Sequence, residues 1–266
     1  MNASEFVRTY AGRGVQTWES AALNLARQGR LTSREWIPIE LSDGHNKATI
    51  YVQNDFLAIG PKSDSIRLPL TSSGAQNILN LYGWLLPTQA IVYQINRNAR
   101  TRLNPSALPN RGPDLNQFYE HDRILDSQIR DNSLVTGAKK HVIVSNIASP
   151  GKQVIYGWFR PGTAEPIQGK SNIHGDTYVD YSHGIQAVGP IAVVNGKEIK
   201  TADLYQHPAL SRLVSNEGPI RVPRYSSNVG IGSPVGPGAG VSIGPILLGA
   251  ALLGGIYYGY TKRWFR

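Results

Sequence analysis

The sequence contains no cysteine among its 266 residues. This absence excludes disulfide bonds, metal sites built on thiolates and a cysteine nucleophile. Any metal site must therefore use the six histidines and the carboxylates. Any covalent nucleophile must be a serine, a threonine, a lysine or a carboxylate.

Acidic residues are also scarce, since 18 Asp and Glu against 27 Lys and Arg leave a formal net charge of +9. Charged residues make up only 17% of the chain and apolar residues 41%, which is typical of a folded protein. The positive charge favours polyanionic partners: anionic lipid, an anionic cell-wall polymer or nucleic acid. No basic block with interleaved aromatic residues is present, so nucleic acid is the weakest of these three predictions.

One uncharged, mainly apolar run, residues 241–260, lies near the C-terminus. Its length matches the roughly 20 residues that a helix needs to cross a hydrocarbon layer. Tyr257, Tyr258 and Tyr260 followed by the basic tail at 261–266 are typical of a membrane interface. The pattern predicts a single-pass C-terminal membrane anchor, with a buried core helix as the alternative.

Small residues in this run are spaced four apart, at Ala251, Gly255 and Gly259. They share one helix face, which favours self-association through the transmembrane helix. The alternative is that glycine and alanine are simply common in membrane helices.

The predicted topology contains a conflict. The basic tail places residues 1–220 on the outer side of the membrane, yet the N-terminus has no apolar core of the length that a secretory signal requires. Two alternatives resolve it: insertion after translation as a tail anchor, or a virus particle that meets the membrane from outside.

Local patterns predict an α+β fold with a mixed, mainly antiparallel sheet and several helices. Helices are expected at 17–28, 72–81, 87–99 with Pro87 at the first position, 113–130, and 201–214 with Thr201 as the cap. Strand-like runs at 36–70 predict an antiparallel meander, a second strand-rich section covers 141–188, and Asn195–Gly196 predicts a hairpin turn. The predicted units are an N-terminal helical segment (1–34), an α+β domain (35–218), a Gly/Pro-rich linker (219–240), the transmembrane helix (241–260) and the basic tail (261–266).

The densest polar cluster is IHGDTYVDYSHG, residues 173–184. If residues 177–182 form a strand, Tyr178, Asp180 and Ser182 share one face and His183 lies on the other. With the strand bent at its ends, His174, Asp180 and His183 can bind zinc, or one histidine can act as a general base held by a carboxylate. The spacing fits no established metal motif, and the alternative is that these side chains satisfy turn backbone groups.

Several blocks, among them WIPIEL, RLPLTSSGAQNI, GAKKHVIVS, VIYGW and a PIQ…H…YVDYSHGI pattern, occur in a fixed order over residues 35–217. In these blocks the chain resembles a family of bacterial and phage-encoded proteins of unassigned function. The resemblance implies a pocket built from Lys139 or Lys140, His174, Asp180, Ser182 and His183, with Gln168 nearby.

The chain departs from that family at two positions, where His141 replaces an expected Asp and Phe159 an expected His. These departures put catalysis in doubt and leave a pure binding module as the alternative. His121 lies on the predicted helix at 113–130, where it either reaches the pocket or is exposed; its charged neighbours favour exposure.

Two functions from different classes follow. The first is a membrane-tethered hydrolase acting on the cell envelope, most simply on peptidoglycan in a phage or bacterial lytic role, with His174, Asp180, Ser182, His183 and Lys140 as candidate catalytic residues. In one mechanism a histidine activates water while Lys140 stabilises the oxyanion. In the other, zinc bound by His174, Asp180 and His183 activates the water. The second is a non-catalytic structural or membrane-interacting virion component.

Overall fold

Two four-stranded sheets, two short two-stranded sheets and six α-helices form the part of the chain that this computed structural model describes, residues 1–232. The strands are β1 (Trp36–Ser42), β2 (Lys47–Gln53), β3 (Ala58–Ile59), β4 (Ile66–Arg67), β5 (Thr101–Arg102), β6 (Val135–Thr136), β7 (Lys140–Ile143), β8 (Val154–Phe159), β9 (Pro166–Ser171), β10 (His183–Gly184), β11 (Ile191–Val194) and β12 (Lys197–Lys200). The helices are α1 (Ala3–Tyr10), α2 (Val15–Arg27), α3 (Ser72–Leu81), α4 (Gln89–Asn98), α5 (Leu115–Asp126) and α6 (Thr201–Gln206). The predicted α+β class with mainly antiparallel sheets is confirmed.

The first sheet has the order β1-β2-β11-β12 and is antiparallel throughout. Asn195 and Gly196 join β11 to β12 with φ values of 50° and 79°. Two left-handed residues match the right-handed twist of a tight hairpin, so the predicted turn is confirmed. The predicted meander holds only in part, because β2 pairs with β11 rather than with β3.

The second sheet has the order β10-β7-β8-β9, in which the short pair of β10 and β7 is parallel and the other pairs are antiparallel. All six residues of β8 are buried. The register of β8 against β9 shifts between Ile155 and Gly157, and Trp158 there has a φ of 64°. A bulge of this kind redirects the side chains that follow it.

Side-chain caps set the starts of the central helices. Thr71 caps α3, whose bounds agree with the prediction, and Thr88 caps α4, so Pro87 lies before that helix rather than at its first position. Asp114 caps α5, which is shorter than the predicted range of 113–130. A cap oxygen that accepts a hydrogen bond from a first-turn N–H fixes the first residue of a helix.

The helix predicted at 201–214 is wrong in two respects. It is divided into α6 and a 3-10 turn at Leu210–Leu213, because Pro208 holds His207 in an extended conformation with ψ at 128°. Thr201 is not the cap, since the cap position belongs to Lys200 and the Thr201 hydroxyl donates to the Gly189 carbonyl.

The main hydrophobic core joins the N-terminal helices to both large sheets. Phe6 of α1 and Trp18 of α2 are fully buried in the same cluster as Ile50 of β2 and Ile155 of β8. The predicted helical segment at 1–34 therefore packs as part of the domain.

Residues 219–232, which we call the C-terminal strap, lie against the domain although the sequence predicts them as the start of a linker. Ile220 is fully buried, and the Tyr225 hydroxyl accepts a hydrogen bond from the Val154 N–H and donates to the Ile143 carbonyl. The Arg224 guanidinium donates to the Gly83 and Trp84 carbonyls and to the side chain of Asn80. Polar side chains thus hold a segment whose Gly, Pro and Ser content suggests a tether.

Within residues 1–232 no helix has the length and apolar character needed to cross a bilayer. The predicted transmembrane helix at 241–260, its small-residue face, the basic tail and the linker residues 233–240 lie outside the described residues.

Candidate functional site

The segment that joins β9 to β10 brings together most of the predicted site residues. It is not the predicted strand: Tyr178 N–H donates to the Gly175 carbonyl and His183 N–H to the Asp180 carbonyl, which makes two successive turns. Asp180 favours the second turn because its Oδ1 accepts the Ser182 N–H at 2.7 Å. The alternation of faces predicted for a strand therefore does not apply.

Asp180 is 1% exposed and is the most heavily hydrogen-bonded side chain of this cluster. The Tyr178 hydroxyl donates to its Oδ2 at 3.0 Å, and the Ser182 hydroxyl donates to its Oδ1. Burial alone would raise the pKa of Asp180, but His183, Ser182 and Lys140 together hold that pKa below its usual value. The carboxylate is therefore ionised at neutral pH.

Three rings pack together next to Asp180: His174, Tyr178 and His183. His174 and Tyr178 are stacked, with centroids 4.2 Å apart and an interplanar angle of 7°. The His183 ring lies 5.5 Å from each of them, edge to face. His174 and Tyr178 are partly exposed whereas His183 is fully buried, so the stacked pair lies nearer to the surface than His183.

His183 has the most unusual environment in the cluster. Neither of its ring nitrogens has a hydrogen-bond partner within residues 1–232. Burial lowers the pKa of His183 to about 4, although Asp180 opposes that change. A buried neutral imidazole beside a carboxylate can accept a proton and be stabilised once it is charged.

Lys140 is the second basic group of the cluster. Its backbone N–H donates to the Ser182 carbonyl at 2.6 Å, and its ammonium lies 5.3 Å from the centroid of the Trp158 ring. Burial lowers the pKa of Lys140, while Asp180 raises it. Trp158, in the bulge of β8, is an aromatic neighbour of Lys140 that the sequence alone does not predict, because the bulge depends on pairing with β9.

Lys139 lies in a different environment from Lys140. Its ammonium is fully buried, donates to the Tyr181 carbonyl at 2.7 Å, and lies 3.2 Å from His121 Nδ1 and 3.4 Å from Asp122. His121 is fully buried, so the interpretation of an exposed helix histidine is wrong. Burial and the charge of Lys139 lower the pKa of His121 to about 2, and this group ties α5 to the candidate site.

The remaining predicted residues lie apart from the three rings or have partners elsewhere. Ser182 donates to Asp180 and not to a histidine, so these contacts do not make it an activated nucleophile. Gln168 lies on β9, where its side-chain amide donates to the Gly169 carbonyl. His141 Nε2 lies 2.9 Å from the Gln186 side-chain oxygen, and Phe159 is buried against Tyr156. Both departures from the family pattern are therefore core residues.

The described part of the chain contains no group of three or more His, Asp or Glu side chains arranged to hold a metal ion. His174, Asp180 and His183 are neighbours, but their assignment as zinc ligands stays a prediction from the sequence. A histidine with a carboxylate among its neighbours can also act as a general base.

The loop between β5 and α5 contributes one further cation. The Tyr181 hydroxyl bonds to both the N–H and the carbonyl of Leu108, which fixes this loop beside the cluster. Arg111 of the same loop is exposed, and its charge lowers the pKa of Lys140 and of His174. Arg111 has no local sequence signal, since only the fold brings it near residues 174–183.

No protein-family profile, curated protein or solved structure matches the chain. The family resemblance of residues 35–217 therefore stays a prediction.

Proposed function

We propose that the chain is a membrane-tethered hydrolase of the cell envelope, with peptidoglycan as the simplest substrate. The observation that supports this most is His183, a buried neutral imidazole without hydrogen-bond partners in residues 1–232, next to the ionised Asp180. Buried polar groups are normally paired, and an unpaired one calls for an explanation, of which a catalytic role is one.

In the proposed reaction, His183 takes a proton from a water molecule that attacks the scissile carbonyl carbon. Asp180 stabilises the resulting imidazolium, and the Lys140 ammonium stabilises the negative charge on the carbonyl oxygen. His183 then returns the proton to the leaving group as the bond breaks. Tyr178 and Ser182 act as positioning residues, because they hold the Asp180 carboxylate through hydrogen bonds.

His183 is fully buried, so access to it requires movement of neighbouring groups, and we expect these to be the partly exposed rings of His174 and Tyr178 that pack on it. His174 is partly exposed and its pKa is lowered by burial, with Lys140 and Arg111 adding to that effect. It is thus placed to contact substrate first and to remain neutral. Lys140 and Arg111 supply positive charge for an anionic polymer.

The membrane part of the proposal is supported by the composition of residues 241–260 and by the basic tail that follows them. The excess of basic residues supports an anionic cell-wall polymer as the partner.

The test is the release of soluble fragments from purified peptidoglycan by the full chain in detergent. His183→Ala and Asp180→Asn should each lower the rate by at least about 100-fold, because each removes a member of the proton-transfer pair. His45→Ala is the matched control, since His45 is exposed in the turn between β1 and β2 and should keep the full rate. Equal rates for His183→Ala and the wild type, with unchanged circular dichroism, would exclude this mechanism.

A second candidate function is a non-catalytic structural or membrane-interacting virion component. The observation in its favour is the burial of the candidate catalytic residues, since Lys140, Asp180, Ser182 and His183 are all at most 6% exposed. In that case the same contacts stabilise the fold. His183→Ala would then lower the free energy of unfolding without altering any activity, and loss of the C-terminal residues would prevent assembly.

A further inference from the structure

A pocket of about 290 Å³ lies beside the candidate site segment, between the start of α3, the loop that joins β7 to β8, and the C-terminal strap. Asp176 lines it, and its N–H donates to the Gly151 carbonyl, so the segment carrying His174 forms one wall. Most lining groups are hydroxyls, amides and cations, among them Ser72, Ser73, Asn146 and Ser149. None of these residues belongs to the proton-transfer pair.

Three cations line this pocket: Lys152, Arg221 and Arg224. None of them lies within 4.0 Å of a carboxylate in residues 1–232. Lys152 donates one hydrogen bond, to the Ile173 carbonyl, and the Arg221 Nη2 donates to the Asn146 carbonyl. Asp176 is the one acidic residue that lines the pocket within residues 1–232, so the three cations leave it with a net positive charge.

The rim of the pocket is apolar and exposed. Ile147, Ile173 and Val222 are 38%, 72% and 67% exposed and account for most of the large apolar side chains exposed in residues 1–232. Ile147 lies between two lining residues, Val222 lines the pocket itself, and the Ile173 carbonyl accepts the Lys152 hydrogen bond. Exposed aliphatic side chains around a cationic pocket are typical of a surface that enters the interfacial layer of a membrane.

We propose that this pocket binds the phosphate of an anionic lipid headgroup while Ile147, Ile173 and Val222 enter the bilayer interface. Lys152 and Arg221 have donors left for phosphate oxygens, and the Ser73 and Ser149 hydroxyls can donate as well. The inference depends on the proposed membrane attachment and not on the proposed hydrolysis.

The course of the chain agrees with a lipid rather than a soluble anion. Ser226 of the strap lines the pocket, and the apolar run begins at Val241. A chain of that length spans at most about 50 Å, so a membrane that holds residues 241–260 is within reach of the rim. Contact at the rim would also place the His174 segment close to the lipid surface.

The test uses the absence of cysteine, which allows a single fluorescent label. In the full chain, Ile173→Cys carries an environment-sensitive nitrobenzoxadiazole group, and the same label on His45→Cys in the β1–β2 turn is the control. Vesicles are phosphatidylcholine alone or phosphatidylcholine with about one quarter phosphatidylglycerol. We expect a blue shift and a several-fold rise in emission for the label at 173 with anionic vesicles, and no such change with neutral vesicles or for the label at 45.

Charge removal tests the pocket itself. In the chain labelled at 173, Lys152→Gln with Arg221→Gln should remove most of the emission rise with anionic vesicles, because the two cations that bind the headgroup are lost while residues 241–260 keep the protein on the vesicle. Lys197→Gln with Lys200→Gln removes the same charge from the exposed strand β12 and should keep most of that emission rise. Equal losses for the two pairs would overturn the inference in favour of a general charge effect.

Flotation of the same samples separates this inference from membrane attachment. If the protein floats with both vesicle types while the label at 173 stays in water, the tail anchor is retained and the pocket inference is overturned. Absence of flotation with either vesicle type overturns both. A third outcome is that inorganic phosphate binds the pocket while vesicles cause no change in emission at 173. That outcome would identify a site for a soluble anion and would likewise overturn the lipid assignment.

Discussion

Asp55 is the centre of a buried group of charges that connects α5 to the strands. It is 3% exposed, and its Oδ2 lies 2.7 Å from Arg67 Nη2 and 3.2 Å from Arg34 Nη1. Arg67 continues the group to Asp126 at 2.8 Å and also contacts Asp122. Because Asp122 reaches Lys139, these charges hold the helix that supports the candidate site.

Replacement of Asp55 by Asn should lower the free energy of unfolding by about 3–5 kcal/mol. The change leaves two guanidinium groups buried with less compensation, and a broken buried pair costs about that much. Asp203→Asn is the matched control, since Asp203 is exposed in the first turn of α6, and it should cost less than about 1 kcal/mol. Urea unfolding at pH 7 measures both, and equal effects would contradict the role of the buried group.

The difference in the free energy of unfolding between the wild type and Asp55→Asn should also depend on pH. Burial alone would raise the pKa of Asp55, but Arg34 and Arg67 lower it to about 2. An exposed aspartate titrates near pH 4, so the ionised form stabilises the fold above about pH 4 and that contribution is lost as the pH falls towards 2. The difference between the wild type and Asp55→Asn should therefore narrow by about 2 kcal/mol over this interval. A constant difference from pH 6 to pH 2 would contradict the lowered pKa.

At the scale of elements, the C-terminal strap joins two strands of the second sheet through one hydroxyl. Tyr225 accepts from Val154 N–H at 2.9 Å and donates to the Ile143 carbonyl at 2.8 Å, at adjacent ends of β8 and β7. Burial raises the pKa of Tyr225 to about 12, so the hydroxyl stays protonated and can make both bonds.

Tyr225→Phe should lower the free energy of unfolding by about 1–3 kcal/mol, because it leaves a strand N–H and a carbonyl without their partner. Tyr93→Phe is the matched control, since the Tyr93 hydroxyl has no hydrogen bond to residues 1–232 and is partly exposed on α4. Hydrogen exchange of the Val154 amide, measured by NMR, should accelerate in the first variant only. An unchanged Val154 exchange rate would mean that the strap does not stabilise the sheet.

The elements that the sequence predicts well depend on local signals. The first residue of α3 follows from the Thr71 cap, and the β11–β12 turn follows from Asn195–Gly196. The wrong prediction at 177–182 has a local cause too, because the Asp180 side chain competes with strand pairing for the Ser182 N–H.

The parts of the site that could not be predicted depend on distant contacts. Burial of His121 requires Lys139, and proximity of Arg111 to Lys140 requires the loop that Tyr181 fixes. The charged neighbours of His121 suggest a solvated face, yet Asp122 is fully buried because Arg67 and Lys139 contact it. A buried ion pair between distant residues leaves no periodic pattern in the sequence.

At the scale of the whole molecule, the N-terminal helices and both large sheets share one core. Trp18 of α2 packs edge-to-face on Phe118 of α5 at 6.2 Å, and both belong to the cluster that contains Val142 of β7 and Ile155 of β8. Residues 1–34 have no separate core, so they should unfold together with the sheets.

Hydrogen exchange followed by mass spectrometry at increasing urea concentration tests this cooperativity. Peptides from α2 and from β7–β8 should open with the same free energy, because unfolding of either one exposes the shared core. Trp18→Ala should lower that free energy in both by about 3–5 kcal/mol, the usual cost of removing a buried tryptophan side chain. The exposed Ile173 provides the control, since Ile173→Ala should change neither value. If Trp18→Ala lowered the opening free energy of α2 alone, residues 1–34 would be an independent unit and the shared core would not couple the helices to the sheet that holds the candidate site.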